Sequence, residues 1–293
     1  MRTSTIRRVG TGAAAVALMS VAACSGGGGA SGTEGKPAGG VAKASPVTAL
    51  KQVQQKTGTA QSARIEGTSK VGDSVSMKQS GAIGWADGLT GSLKITYTGG
   101  TMAEAMKQGG SNGSMQARYF KNEYYANMGD AFAANIGGKH WIRYAYKDLA
   151  QLGGPAGDVL KEQLQNSTPE QGVKALLAAG DLKKVGQEDV RGVSATHYSG
   201  TVDVAELTTK GTALDAEQIA ALKKQLEAAG VTTQTVDIWV DENDLLVKKS
   251  ERGETALGPV NSTVLYSDYG TKVSVEKPPV DDTVDFQELM KKQ

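Results

Sequence analysis

The chain has 293 residues, with 32 basic and 31 acidic side chains, two histidines and a single cysteine. So even a charge balance gives no field that would draw in nucleic acid, and no basic run stands ready for anionic lipid heads. One cysteine excludes an internal disulfide, so the fold must be held by its core alone.

The N-terminus has the layout of a secretion signal. Arg2, Arg7 and Arg8 form a basic region, and residues 9–23 are small or apolar and uncharged, too short and wrongly flanked for a membrane span. The cysteine falls where cleavage would occur. Val21-Ala22-Ala23-Cys24, followed by Ser25, resembles the lipobox of bacterial lipoproteins. That resemblance implies cleavage before Cys24 and a diacylglyceryl group on its sulfur. Removing residues 1–23 leaves 29 basic against 31 acidic residues. Two acyl chains suffice for stable anchoring where one does not. The expected location is therefore extracytoplasmic, on the outer face of a membrane.

Residues 24–44 include Gly26-Gly27-Gly28-Gly29 and almost no large apolar side chain, a composition that cannot bury enough surface to fold. As a coil of about 20 residues this tether spans ~25 Å. A folded domain is expected over 45–293. Ser45-Pro46 reads as a cap and first helical residue, Val47, Leu50 and Val53 as the buried stripe, and Gly58 as the stop.

The period then changes. Val75, Met77, Ile83 and Trp85 share one parity, and Leu93, Ile95 and Tyr97 alternate with Ser92, Lys94, Thr96 and Thr98. Such alternation predicts strands with one dry and one wet face, joined at the Asp87-Gly88 turn. The Gly- and Ser-rich residues 99–114 read as a loop around a short apolar patch from Met102 to Met106. Further strands are expected at 115–120, 123–127 and 140–145, and a helical stretch at 158–165. A second helix opens at Thr168-Pro169, turns Val173, Leu176 and Leu177 inward, and closes at Gly180.

Strands follow at 182–187 and 196–204. Asp215 with Gln218 makes a capping box for a helix carrying Ile219, Leu222 and Leu226. Val236, Ile238 and Val240 then alternate with polar neighbours, and residues 241–244 turn the chain into a hairpin with 245–249. Residues 260–268 and 272–276 add strands, Pro278-Pro279 ends the sheet, and a short helix over 283–290 closes the chain. The fold class expected is α+β, a large antiparallel sheet with amphipathic helices on its apolar face.

This order of elements, with Pro169 to Gly180, the run Lys184-Val185-Gly186-Gln187-Glu188-Asp189-Val190-Arg191-Gly192, Thr196-His197-Tyr198-Ser199-Gly200-Thr201-Val202-Asp203 and Tyr266-Ser267-Asp268-Tyr269-Gly270, resembles the LppX/LprG lipoproteins of actinobacteria within the wider LolA-like group. The similarity covers most of residues 45–290 and is sharpest from 169 to 280. It implies an actinobacterial cell, hence the outer leaflet of the cytoplasmic membrane, and a half-barrel, a curved antiparallel sheet with helices on its concave face. Between them it implies a cavity for the acyl chains of lipids or lipidated proteins. The residues placed to line that cavity are Val75, Met77, Ile83, Trp85, Leu93, Ile95, Tyr97, Val236, Ile238 and Val240. The same residues also fit an ordinary core beneath the helices.

No catalytic or cofactor motif accompanies this pattern. His140 and His197 lack ligand-spaced partners for a metal. Gly109-Gly110-Ser111-Asn112-Gly113 matches a nucleophile elbow in letters only, since that motif needs a strand before it and a helix after it. Asp241-Glu242-Asn243-Asp244 lacks the glycine and final glutamate of a calcium loop. The expected function is a non-enzymatic, membrane-anchored lipoprotein that binds a lipid or other hydrophobic ligand, with the Cys24 lipid its only covalent group. An envelope protein would serve as acceptor if the ligand is carried. Two rivals stand: a surface interaction or sensor module with a filled core, and a hydrolase using Ser111.

Overall fold

The computed structural model describes residues 45–148, 168–209, 212, 214–255 and 258–291. The chain separates into residues 1–42 and 43–293, and the second unit is the one described below. Cys24, the tether and the expected helix over 158–165 lie outside the described residues.

Helix α1 (Pro46–Ala60) begins as its sequence dictates: Ser45 Oγ accepts the Thr48 N–H at 3.2 Å, and Pro46 opens the first turn. It does not stop at Gly58 but runs to Ala60 and ends where Gln61 turns left-handed at φ 62°. Gly58 lies within the helix, at a close approach to a neighbour. A Cβ there would lie 3.1 Å from the Glu170 carboxylate of the second covering helix.

The strands are β1 (Ser62–Val71), β2 (Val75–Gly84), β3 (Thr90–Gly99), β4 (Ser114–Phe120), β5 (Glu123–Asn127) and β6 (Trp141–Ala145) in the first half. The second half supplies β7 (Lys183–Val190), β8 (Val193–Asp203), β9 (Thr233–Val240), β10 (Leu246–Thr255), β11 (Gly258–Ser267) and β12 (Thr283–Asp285). They form one open, curved sheet in the order β12-β6-β5-β4-β3-β2-β1-β11-β10-β9-β8-β7. Every pairing is antiparallel except β12 with β6. This is the half-barrel architecture expected. The β1–β11 pairing, Ile65 opposite Tyr266 and Val71 opposite Val260, joins the two halves of the chain at the centre of the sheet.

The helices are α1, α2 (Gly100–Gln108), α3 (Asp130–Ala133), α4 (Pro169–Leu177), α5 (Ala216–Ala228) and α6 (Phe286–Met290) among the described residues. Helix α5 carries the expected capping box, Asp215 accepting from Gln218 N and Gln218 Oε1 accepting from Asp215 N. Helix α4 packs Val173 and Leu176 into the core with no exposed surface. Its Thr168 N-cap makes no side-chain cap bond, so Pro169 and burial hold that end.

Three expectations need correction. Residues 99–114 contain helix α2 rather than a loop alone, because Ala103 and Met106 find buried positions that outweigh the poor helix propensity of the flanking glycines. Residues 272–276 join no ladder, since the neighbouring edges of β1 and β11 are already paired with β2 and β10. They form a strap instead, with Arg118 donating to the Glu276 carbonyl at 2.9 Å. Residues 283–290 divide into β12 and α6, because the strap delivers Thr283–Asp285 to the free edge of β6.

Candidate functional site

The face of the sheet that carries the helices can be read row by row from the register. One row runs Ala63, Ile83, Gly91, Tyr119, Tyr124, Tyr144, and the next Tyr266, Ile65, Gly81, Leu93, Ala117, Ala126. The following row is Tyr198, Ile238, Lys249, Val264, Gly67, Gln79, Ile95, Met115. Beyond it lie Gly200, Val236, Glu251, Ser262, Ser69, Met77 and Tyr97.

The residues singled out from alternation therefore share this face, and the fold separates them by cover. Val236 and Ile238 are fully buried, and Val240 nearly so, in the cluster that includes Leu50 and Val53 of α1 and Val173 and Leu176 of α4. Ile83, Trp85, Leu93 and Ile95 are buried in the same cluster. Trp85 donates its indole N–H to the Thr57 carbonyl and meets Tyr269 edge-on. Val75, Met77 and Tyr97 are half-buried.

Alternation missed the aromatic side of the face. Tyr119, Tyr124 and Tyr144 stand in register on β4, β5 and β6, with ring centroids 5.9 Å and then 4.5 Å apart, and Phe286 of α6 continues the stack at 4.8 Å. Burial, with Tyr97 nearby, pushes the Tyr119 phenol up to about 12, and burial does the same for Tyr144. Burial also raises Tyr124, reinforced by the surrounding tyrosines. All of these rings stay uncharged at neutral pH and present aromatic surface with Met77 and Met115. The signal was in the sequence, as Tyr119 and Tyr124 flank the same turn, but their pairing with Tyr144 needed the register.

The opposite face carries the polar clusters. Glu123 accepts from Arg143 Nε at 2.6 Å, from Tyr125 at 3.0 Å and from Lys277 at 2.5 Å, and Arg143 also holds Asp285 at 2.8 Å. These bonds clamp the strap and β12 to the sheet. Trp141 packs beneath the Arg118 guanidinium at 4.4 Å. On β7–β10, His197 bridges Glu188 at 2.8 Å and Asp237 at 2.9 Å, stacks on Trp239, and shares Asp237 with Arg252.

Among the described residues no hydrogen bond joins either histidine to Ser111. His140 is held by Asp282 at 2.7 Å, and the Ser111 hydroxyl donates to the Met128 carbonyl at 3.4 Å. Residues 109–113 follow helix α2 and precede strand β4, the reverse of a nucleophile elbow. Asp241 closes its turn by accepting from the N–H groups of Asn243 and Leu245. Among the described residues no group of three or more His, Cys, Asp or Glu side chains is arranged to hold a metal. No described helix is long and apolar enough to cross a membrane.

Two recesses lie away from the helix-covered face. One, of about 620 Å³, is lined by the polar side of α1, including Lys51, Gln52 and Lys56. The other, of about 260 Å³, lies where the strap passes Ser92, Gln116 and Arg118.

No protein-family model matches the chain. It is 75% identical over 251 residues to a Streptomyces griseus protein described as "Uncharacterized 31.2 kDa protein in rplA-rplJ intergenic region", covering 86% of this chain and 82% of that one. It is 48% identical over 245 residues to a Streptomyces coelicolor protein named "Putative lipoprotein SCO4650", covering 84% of this chain and 76% of that one. Among solved structures it is similar to the Mycobacterium tuberculosis lipoprotein LppX, at 12% identity and a TM-score of 0.47 over 79% of this chain and 98% of that one.

Proposed function

This chain belongs to the family of these two Streptomyces proteins, and on that footing we propose that it is a lipid-anchored envelope protein that binds an amphiphile on the concave face of its sheet. The observation that carries the reading is the half-buried apolar surface of Val75, Met77, Tyr97, Met115, Tyr124 and Tyr144. It runs directly into the sealed core beneath α1 and α4. Acyl chains laid there would gain ~25 cal/mol per Å² of apolar surface buried. The anchor is the diacylglyceryl group on Cys24, and the Gly-rich tether lets the domain reach the bilayer from the outer leaflet. No covalent step belongs to this function.

A second reading has its own support. The core under α1 and α4 is filled, with Leu50, Val173, Leu176, Val236 and Ile238 fully enclosed, as expected of a surface interaction module that binds no lipid. Native mass spectrometry of the chain from residue 25, purified from an actinobacterial host, separates the two. Excess mass that organic extraction removes and identifies as lipid supports the amphiphile reading. A bare polypeptide, unshifted by added envelope lipids, sinks it. For the anchor, Cys24→Ser should abolish incorporation of labelled fatty acid and release the protein from the membrane fraction.

A further inference from the structure

A sheet face that packs against helices is expected to be apolar, and at its centre this one is not. Lys249 and Glu251 of β10 point to the covered side, in the rows of Ile238 and Val236. Their ion pair measures 2.9 Å, and the side chains are only 15% and 19% exposed. Helix α4 crosses directly above: a Cβ on Gly172 would fall 2.3 Å from Lys249 Cδ. Next to the pair the register places Ser262 of β11, Ser69 of β1 and Gln79 of β2. These three are half-buried. Among the described residues no side-chain hydrogen bond engages either serine hydroxyl or the Gln79 amide.

The pair is a poor device for stability. Withdrawing two charges from water offsets most of their attraction, and apolar residues of similar volume often serve as well or better. A few polar groups converging within an apolar concavity are instead the usual makeup of a ligand site. The chemistry of the strip narrows the ligand. Lys249 and Glu251 already neutralise each other, so an added anion would sit against Glu251 and an added cation against Lys249. A hydroxyl meets neither objection, since it donates to the carboxylate while accepting from the ammonium, and the serines and Gln79 offer both roles.

We propose that this strip receives the uncharged, hydroxyl-bearing head of an amphiphile whose acyl chain lies along Met77, Tyr97 and Met115. The assignment rests on the amphiphile reading above and adds the class of head group. Tyr97 neighbours Met77 across β2–β3, so a chain leaving the strip passes onto apolar surface without crossing another charged side chain of the same rows.

The test uses the chain from residue 25, which contains the whole compact unit 43–293, and two probes differing by one group: monooleoylglycerol and its phosphate ester, oleoyl lysophosphatidic acid. Both are titrated below their aggregation limits. The wild type should favour the neutral probe by about fivefold or more, the worth of roughly one hydrogen bond. Glu251→Gln leaves Lys249 uncompensated and should reverse that preference toward the phosphate. Lys249→Met with Glu251→Leu should abolish the preference while the acyl chain still binds. Equal binding of both probes by the wild type, or a preference unmoved by Glu251→Gln, overturns the head-group assignment and leaves the amphiphile reading standing. Absence of binding of either probe to the wild type overturns both. If the double variant does not fold, the sign of the Glu251→Gln change decides alone.

Discussion

The two ends of the concave face are built from different material. Under α1 and α4 the side chains are branched aliphatics (Leu50, Val53, Val173, Leu176, Val236, Ile238), each with essentially no exposed surface. Along β2 to β6 a buried layer of Ile83, Leu93, Ile95 and Ala117 continues that core, and beside it stand Met77, Tyr97, Met115, Tyr124 and Tyr144, all only half-buried. Branched aliphatics interdigitate at crystal-like density and hold one arrangement. Methionine is flexible and adapts to irregular partners, and tyrosine joins a flat apolar ring to a polar tip. One end is thus composed as a permanent core, and the other adds an adaptable half-buried surface of the kind the amphiphile reading requires. The Lys249–Glu251 strip lies between them.

The largest effect should come from cutting into the sealed end. Leu176→Ala removes a fully buried side chain and should cost ~2–5 kcal/mol in urea unfolding. Gly200→Ala comes next. Its added Cβ would fall 2.6 Å from Ala179 Cβ and 2.9 Å from Leu176 Cδ1, lifting α4 from β8 at an overpacking cost of ~1–3 kcal/mol. Met115→Ala, at the open end, should cost less than either, within ~1 kcal/mol for a half-buried side chain, yet weaken binding of an acyl probe. A Met115→Ala loss as large as that of Leu176→Ala would erase the distinction between the ends.

The smallest effect is a pH dependence of the strap behind the open end. Burial tends to raise the Glu123 pKa, but hydrogen bonds from Lys277, Arg143 and Tyr125 outweigh it and hold the carboxyl below its ordinary 4.5. A depressed folded-state pKa means that the stabilisation is complete above the unfolded value and is lost as pH falls through the folded one. Thermal melts should therefore lose stability on acidification below pH 4.5, and Glu123→Gln should flatten that part of the curve. An unchanged acid limb in Glu123→Gln would show that the clamp contributes nothing measurable.

Much of the fold is legible in local sequence. The capping box at Asp215 and Gln218, the Pro46 and Pro169 helix starts, and the hairpin of β9 and β10 all depend on neighbours within a few residues. Helix α2 escaped because its flanking glycines resemble a loop, and only the buried sites for Ala103 and Met106 make it worth forming. The strap escaped because alternation in residues 272–276 is indistinguishable from a strand until the edges it would need are known to be occupied. At the candidate site, alternation named the apolar residues of β2, β3 and β9 but not the cover that sorts them into core and half-buried surface. It also passed over Lys249 and Glu251, which look like ordinary surface charges in a hairpin strand.

What the amino-acid sequence determined by itself was local: periodicity, caps and turns. Those depend on dihedral preferences and side-chain spacing along a few turns of chain. The tertiary structure alone decided which rows form, because register joins residues such as Glu66 and Leu265 across most of the chain. It likewise decided that an ion pair, two serines and a glutamine meet on the covered face, since neither charge pairing nor burial exists until distant strands lie side by side.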